Sequence, residues 1–146
     1  MKTLLVLTFF SIGFFAHANH SIIPEPFSYE EMKGSLISNG FHLKDNSKIK
    51  KVKYAKTIFI EYLKSIEIST EGTTTIELNH TNSIKNKEGY SLEVNSKGIS
   101  IGASDFGGFH NALQTVKQLL PTKLSSDPIE IPFCKIIDKP RFEWRG

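Results

Sequence analysis

The sequence predicts an α+β fold, in which a mixed β-sheet carries two helices packed on one of its faces. Three observations support this prediction: a β-hairpin between Gly89 and Ala103, two segments in which apolar residues recur at helical spacing, and further strand-like runs that do not alternate regularly with the helices. A regular alternation of strands and helices would instead indicate a parallel α/β sheet.

The hairpin is the clearest local element. Two runs of alternating apolar and polar residues are joined by the Asn95–Gly98 turn, and their apolar members are Tyr90, Leu92 and Val94, then Ile99, Ile101 and Ala103. This period of two predicts a pair of antiparallel strands with one buried face.

Two helices are predicted from a spacing of three and four residues. The first covers Val52 to Lys64. The second follows Asp105, whose carboxylate can accept a hydrogen bond from an early backbone N–H, and it is stopped by Pro121. Its apolar stripe comprises Phe106, Phe109, Ala112, Leu113, Val116, Leu119 and Leu120.

Other strands are predicted on both sides of these elements. Short apolar runs at Leu36–Ile37 and Phe41–Leu43 flank an Asn39–Gly40 pair, which is typical of a hairpin turn. Ile129–Ile137 forms a further strand-like run that contains Cys134, the only cysteine. One cysteine excludes a disulfide within this chain, and we interpret it as a small buried residue.

The N-terminus predicts export. Lys2 precedes an uncharged apolar run from Thr3 to Phe15, and Ala16–Ala18 then supplies the small-residue pattern of a signal peptidase site. A membrane anchor is the alternative, but the run is short for a bilayer span. We therefore predict cleavage between Ala18 and Asn19, and an exported, periplasmic or secreted product with no membrane association afterwards. The predicted organisation is a signal peptide at 1–18 followed by an α+β domain.

Charge gives a weak indication about partners. Without Lys2, the chain has 17 basic and 15 acidic residues, so a nucleic-acid partner is not predicted. Four lysines, Lys51, Lys53, Lys56 and Lys64, nevertheless lie on the polar side of the first helix. A solvated helix face is the favoured interpretation, and a polyanion-binding surface is the alternative.

No residue pattern specifies a reaction. The histidines, His20, His42, His80 and His110, lack the spacing of a metal pair, and we predict neither metal nor cofactor. Gly107–Gly108 at a helix start could approach an anion, although a tight packing contact is the simpler interpretation. Glu30, Glu31 and Glu143 are available as carboxylates, but nothing in the pattern pairs them.

Four stretches, taken together and in order, resemble one family. They are Ile22–Pro26, the hairpin from Glu88 to Ile101, Gly107–Pro121, and the closing run Ile131–Gly146 with its Asp138–Lys139–Pro140–Arg141–Phe142 and Trp144–Arg145–Gly146 motifs. This order is similar to that of the N-terminal domain of glycoside hydrolase family 20 β-N-acetylhexosaminidases. Ala112, where the family often has glycine, and the stretch 65–75 depart from the family pattern.

The resemblance implies a retaining, substrate-assisted glycosidase that releases terminal N-acetylglucosamine or N-acetylgalactosamine. Its catalytic Asp–Glu pair and sugar-binding arginine would lie in a (β/α)8 barrel beyond Gly146. The resemblance thus implies that the N-terminal α+β domain covers 19–138 and that 139–146 is the start of the barrel. This chain would then hold no catalytic or substrate-binding residue, and Arg145 would make a structural contact.

The implied partner is that catalytic barrel, through which the glycan substrate would be met. We expect the barrel to dock on an apolar patch formed by Phe133, Phe142, Trp144 and Arg145. The alternative function is a stand-alone exported glycan-binding or interaction module, in which Phe142 and Trp144 would serve as stacking surfaces.

Overall fold

The structure, a computed structural model, describes residues 22–121 and 128–140. Within them the chain forms six strands and two helices, which are β1 (Ser28–Ser38), β2 (Gly40–Asp45), α1 (Val52–Ser65), β3 (Ser69–His80), β4 (Tyr90–Asn95), β5 (Gly98–Ala103), α2 (Phe106–Leu119) and β6 (Ile129–Asp138). The predicted hairpin and both predicted helices are confirmed.

All six strands belong to one mixed sheet in the order β1-β6-β4-β5-β3-β2. The pairs β2–β3 and β3–β5 are parallel, and the pairs β1–β6, β4–β6 and β4–β5 are antiparallel. The hairpin β4–β5 therefore occupies the centre of the sheet, where it is paired on both sides.

The strands β1 and β2 do not form a hairpin with each other. Only Asn39 separates them, yet they lie at opposite ends of the strand order. The chain turns at Gly40, whose φ of +151° favours glycine, and the Ser38 hydroxyl both donates to the Gly40 carbonyl and accepts from its N–H. The two edge strands therefore meet at this corner, where β1 also contacts β3.

The core lies between the helices and one face of the sheet, as the α+β prediction requires. The first helix buries Val52, Ala55, Phe59 and Leu63, and α2 buries its predicted apolar stripe except for the half-buried Phe106. The sheet contributes the inward side chains of its central strands, Ile76, Leu78, Tyr90, Leu92, Val94, Ile99, Ile101, Ala103, Cys134 and Ile136. The Lys117 ammonium group lies 4.6 Å from the centre of the Tyr62 ring and joins the two helices.

The opposite face of the sheet has a polar middle. One transverse row crosses all six strands, since the register aligns Lys44, Glu77, Ser100, Glu93, Lys135 and Glu30. In this row Lys44 and Glu77 form an ion pair at 3.0 Å. Opposite charges on adjacent strands are compatible with a face that remains in water.

Candidate functional site

The beginning of α2 is packed against the loop that precedes β4. Asp105 caps the helix by accepting a hydrogen bond of 2.7 Å from the Phe106 N–H, as predicted. The Gly108 N–H donates to the Lys87 carbonyl at 3.0 Å, and the Asn111 side chain donates to the Glu88 carbonyl at 3.0 Å.

The same contacts decide between the two interpretations of Gly107–Gly108. A Cβ atom on Gly108 would lie 2.2 Å from the Gly89 carbonyl oxygen and 2.8 Å from the Ala103 Cβ. Glycine is therefore required here for close approach of helix and sheet, and the Gly108 N–H is already bonded to the loop. The structure favours the packing interpretation over anion binding.

Next to this corner, two buried hydroxyl groups face each other. The Tyr90 hydroxyl oxygen lies 2.6 Å from that of Thr115, which in turn donates to the Asn111 carbonyl at 3.3 Å. Each hydroxyl proton is used once when Thr115 donates to the Asn111 carbonyl and Tyr90 donates to Thr115. Burial raises the pKa of Tyr90 to about 12, so the phenol stays protonated and can donate.

The segments at 22–27 and 138–140 meet beside α2. The Gln118 side chain accepts from the Ile23 N–H at 2.8 Å and donates to the Ile23 carbonyl at 3.1 Å. The Phe27 N–H donates to the Asp138 carboxylate at 3.1 Å, and the Lys139 ammonium group lies 4.3 Å from the centre of the Phe27 ring.

This junction carries an exposed apolar surface, which we call the exit corner and define by Phe27, Ile137 and Lys139. Phe27 is 61% exposed and Ile137 is 51% exposed. Both residues lie at the same end of the β1–β6 pair, since Phe27 precedes Ser28, which pairs with Ile137. The sequence contained a signal for Ile137, because it breaks the alternation after the buried Ile136, whereas nothing marked Phe27.

The predicted docking residues are only partly described. Phe133 is half-buried and packs over Gly34, at an irregularity where β1 has extra residues opposite β6. Phe142, Trp144 and Arg145 lie outside the described residues, and so do Ala18 and Asn19 at the predicted cleavage site. Their roles stay predictions.

Cys134 is a buried residue, as expected. Its side chain projects from β6 into the core and is fully buried, and this burial raises the pKa of the thiol to about 11. The neighbouring Tyr29 hydroxyl is also buried, and its pKa is raised to about 12, mainly by burial. A thiol this hard to ionise is a poor nucleophile at neutral pH.

The remaining polar candidates are dispersed. His42 and His80 are exposed, and His110 is half-buried beside the Phe106 ring. Glu30 and Glu31 are exposed on the edge strand β1. Over residues 22–121 and 128–140, no group of three His, Cys, Asp or Glu side chains could hold a metal ion.

None of the helices in the described part of the chain has the length and apolar character needed to cross a membrane.

Comparison with known families gives a match over most of the chain. Residues 19–139 match the family described as glycosyl hydrolase family 20, domain 2. Among curated proteins, the β-hexosaminidase of Porphyromonas gingivalis is 39% identical over 66 residues, which cover 41% of this chain and 8% of that protein. The β-hexosaminidase subunit beta of Entamoeba histolytica is 34% identical over 97 residues, covering 61% of this chain and 17% of that protein.

Solved structures agree with the fold. The exo-β-N-acetylglucosaminidase of Vibrio harveyi, crystallised with N-acetylglucosamine, superposes with a TM-score of 0.70 at 28% identity. The match covers 89% of this chain and 20% of that enzyme. The Flavobacterium johnsoniae chitobiase shares the fold with a TM-score of 0.65 at 24% identity, over 86% of this chain and 21% of the chitobiase.

Proposed function

Since the chain belongs to glycoside hydrolase family 20, as the domain that the family describes as domain 2, we propose that it is the accessory N-terminal domain of an exported β-N-acetylhexosaminidase. The parent enzyme would release terminal N-acetylglucosamine or N-acetylgalactosamine from glycans. The observation that supports this proposal most directly is that the chain matches only a small part of the length of each relative. The chain spans 8% and 17% of the two curated relatives and 20% of the V. harveyi enzyme.

Catalysis is assigned to the rest of the enzyme. In the substrate-assisted, retaining mechanism, the 2-acetamido oxygen of the sugar attacks the anomeric carbon while a carboxylic acid protonates the leaving oxygen. Such an acid has its pKa raised by apolar surroundings. No Asp or Glu side chain is buried among residues 22–121 and 128–140, so we propose that the 146-residue chain alone is inactive.

The exit corner is the surface that we propose for contact with the catalytic barrel. It adjoins Pro140, from which the chain continues into the Arg141–Gly146 stretch. Phe27 and Ile137 expose apolar area at this end of the sheet, and exposed apolar patches mark interfaces. Phe133, Phe142, Trp144 and Arg145 remain proposed members of the same contact.

The test is hydrolysis of a chromogenic N-acetyl-β-D-glucosaminide. We expect no turnover by the 146-residue chain, and turnover by the longer product of the same gene that includes the barrel. Turnover by the purified 146-residue chain would overturn the assignment of catalysis to the barrel. A gene that encodes no such continuation would contradict the proposal that the chain belongs to a larger enzyme.

The proposed contact has a matched control in the longer product. Replacing Phe27 and Ile137 by serine should lower its thermal stability and activity together, because the barrel would lose its apolar partner. Replacing Ile37, which is 58% exposed on β1, by serine should change neither the thermal stability nor the activity. Equal effects of the two changes would argue against docking at the exit corner.

Export is proposed on the sequence of the first 18 residues. N-terminal sequencing of the protein recovered outside the cytoplasm should begin at Asn19. Recovery of an uncleaved chain from the cytoplasm alone would contradict the proposal.

A further inference from the structure

The positive charge of this protein is concentrated around the beginning of α1. Residues 46–66 hold six lysines, Lys48, Lys50, Lys51, Lys53, Lys56 and Lys64, against the single acidic residue Glu61, a net charge of +5. The other 125 residues hold 12 basic and 14 acidic residues, a net charge of −2. The small overall charge of +3 therefore conceals a strongly basic segment.

The structure shows that this segment forms one side of a shallow depression that is open to solvent. The depression is lined by Lys50, Lys51, Lys53, Tyr54, Thr57 and Ile58, and we call it the basic groove. Tyr54 is 69% exposed and Ile58 is 46% exposed, so an aromatic ring and an aliphatic chain lie between the lysines. The net charge of the segment does not indicate this arrangement of lysines around an exposed aromatic ring.

The groove lysines, Lys50, Lys51 and Lys53, lie at the beginning of α1, where positive charge does not stabilise a helix. Cations in the first turn oppose the helix dipole, and α1 has no acidic residue there and no side-chain cap. Within residues 22–121 and 128–140 the ion pair formed is Lys44–Glu77, which leaves the groove lysines without a carboxylate partner. A locally unfavourable choice of residues is typical of a functional surface.

The groove offers an anion its side chains and not the N–H groups of the helix terminus. The N–H groups of Val52, Lys53 and Tyr54 already donate to the carbonyls of Ile49, Lys50 and Lys51. An incoming anion would therefore meet flexible ammonium groups, which are compact and strongly hydrated charges.

We propose that the basic groove binds an anionic polysaccharide, a sugar polymer that carries sulfate or carboxylate groups. The lysines would contact the anionic groups, and the Tyr54 ring would pack against the C–H face of a sugar ring. The inference deepens the proposed function, on which it rests, by defining the substrate class as charged polymers with terminal N-acetylhexosamine.

Two other partners fit the groove less well. A membrane-surface helix needs a wide apolar face, and α1 uses its apolar stripe, Val52, Ala55, Phe59 and Leu63, in the core. A protein interface is typically enriched in arginine and depleted in lysine, and every cation of this segment is lysine.

Binding can be measured by fluorescence anisotropy with the full chain and labelled chondroitin sulfate oligosaccharides at 50 and 200 mM NaCl. The test variant carries Lys50→Gln, Lys51→Gln and Lys53→Gln. The control variant, of equal net charge, carries Lys33→Gln, Lys85→Gln and Lys87→Gln, all at exposed positions away from the groove. Circular dichroism would verify that both variants are folded.

We expect the test variant to weaken binding by about tenfold or more at low salt, and the control variant by much less, because the electrostatic part of polyanion binding follows the charges in contact. Tyr54→Ala should weaken binding of the sugar polymer while leaving binding of a double-stranded DNA oligomer of equal charge unchanged, because the bases of a duplex are not free to stack on the ring. Wild-type binding should fall as salt is raised.

Several results would overturn the proposal: no binding by the wild-type chain, equal losses in the two triple variants, DNA binding as tight as that of the polysaccharide, or stronger binding to phosphatidylglycerol vesicles. The glycosidase proposal is tested separately, since a small neutral N-acetylglucosaminide does not need this groove for hydrolysis. Failure here with intact hydrolysis would remove only the inference about charged polymers.

Discussion

Replacing Gly108 by alanine tests the tight junction between α2 and the sheet. The added methyl group would stand 2.2 Å from the Gly89 carbonyl oxygen and 2.8 Å from the Ala103 Cβ, and neither atom can rotate away because both are fixed by the backbone. Overpacking of this kind costs about 3 kcal/mol. Alanine returns about 1 kcal/mol through helix propensity, so the free energy of unfolding should fall by about 2 kcal/mol.

Gly107→Ala is the matched control, because it adds the same methyl group one residue earlier. Its nearest neighbours would be the Lys87 carbonyl oxygen at 3.1 Å and the Glu88 Cγ at 3.2 Å, contacts that a small shift of the loop relieves. Urea unfolding of the 146-residue chain, followed by circular dichroism, would measure both variants. A Gly108→Ala variant as stable as the wild type, or no less stable than Gly107→Ala, would refute the close-approach argument.

Two further predictions concern buried hydroxyl and thiol groups. The thiol of Cys134 has its pKa raised from 9.0 to about 11 in the folded chain, so its stabilising contribution is complete below pH 9 and is lost as the pH rises through 11. Between these pH values, the wild type should lose about 1–2 kcal/mol more unfolding free energy than Cys134→Val, measured by urea titrations at several pH values. A parallel pH dependence of the two would contradict the burial of an un-ionised thiol. Tyr90→Phe removes the hydrogen bond to Thr115 without opening a cavity, and should lower the free energy of unfolding by about 1 kcal/mol with an unchanged denaturant slope. A Thr115→Val variant in the Tyr90→Phe background should then cost little more, and full additivity of the two losses would argue against the bond.

The elements that could be predicted from sequence are those whose signal is local. The hairpin Tyr90–Ala103 and the helix that follows Asp105 contain their own periodicity, turn and cap, so their limits followed from the residues themselves. The Asn39–Gly40 pair gave an equally local signal for a hairpin, which was wrong. There, β1 pairs with β6, about 100 residues away, and such long-range pairing leaves no mark at the turn.

The candidate surfaces show the same division. Lysines on the exposed side of α1 could be predicted from helical spacing, but the groove that places Tyr54 among them depends on how the preceding loop meets the helix. The exit corner could not be predicted, because Phe27 and Ile137 are 110 residues apart in the chain and reach the same end of the sheet only through the β1–β6 register. Phe133 was expected on a docking patch, and its packing over Gly34 follows from an irregularity in that same strand pair.

The two proposed surfaces belong to different layers of the domain, and this separation makes their roles independent. Ile137 projects from the sheet face opposite the core, since its neighbour Ile136 is fully buried beneath the helices. Tyr54 and its lysines lie on the outer side of α1, in the helical layer. Changes at sites that share no partner add in free energy. Loss of barrel contact at the exit corner should therefore leave polyanion binding by the basic groove unchanged, and a domain with this arrangement could hold a charged polymer on one side while joined to an enzyme on the other.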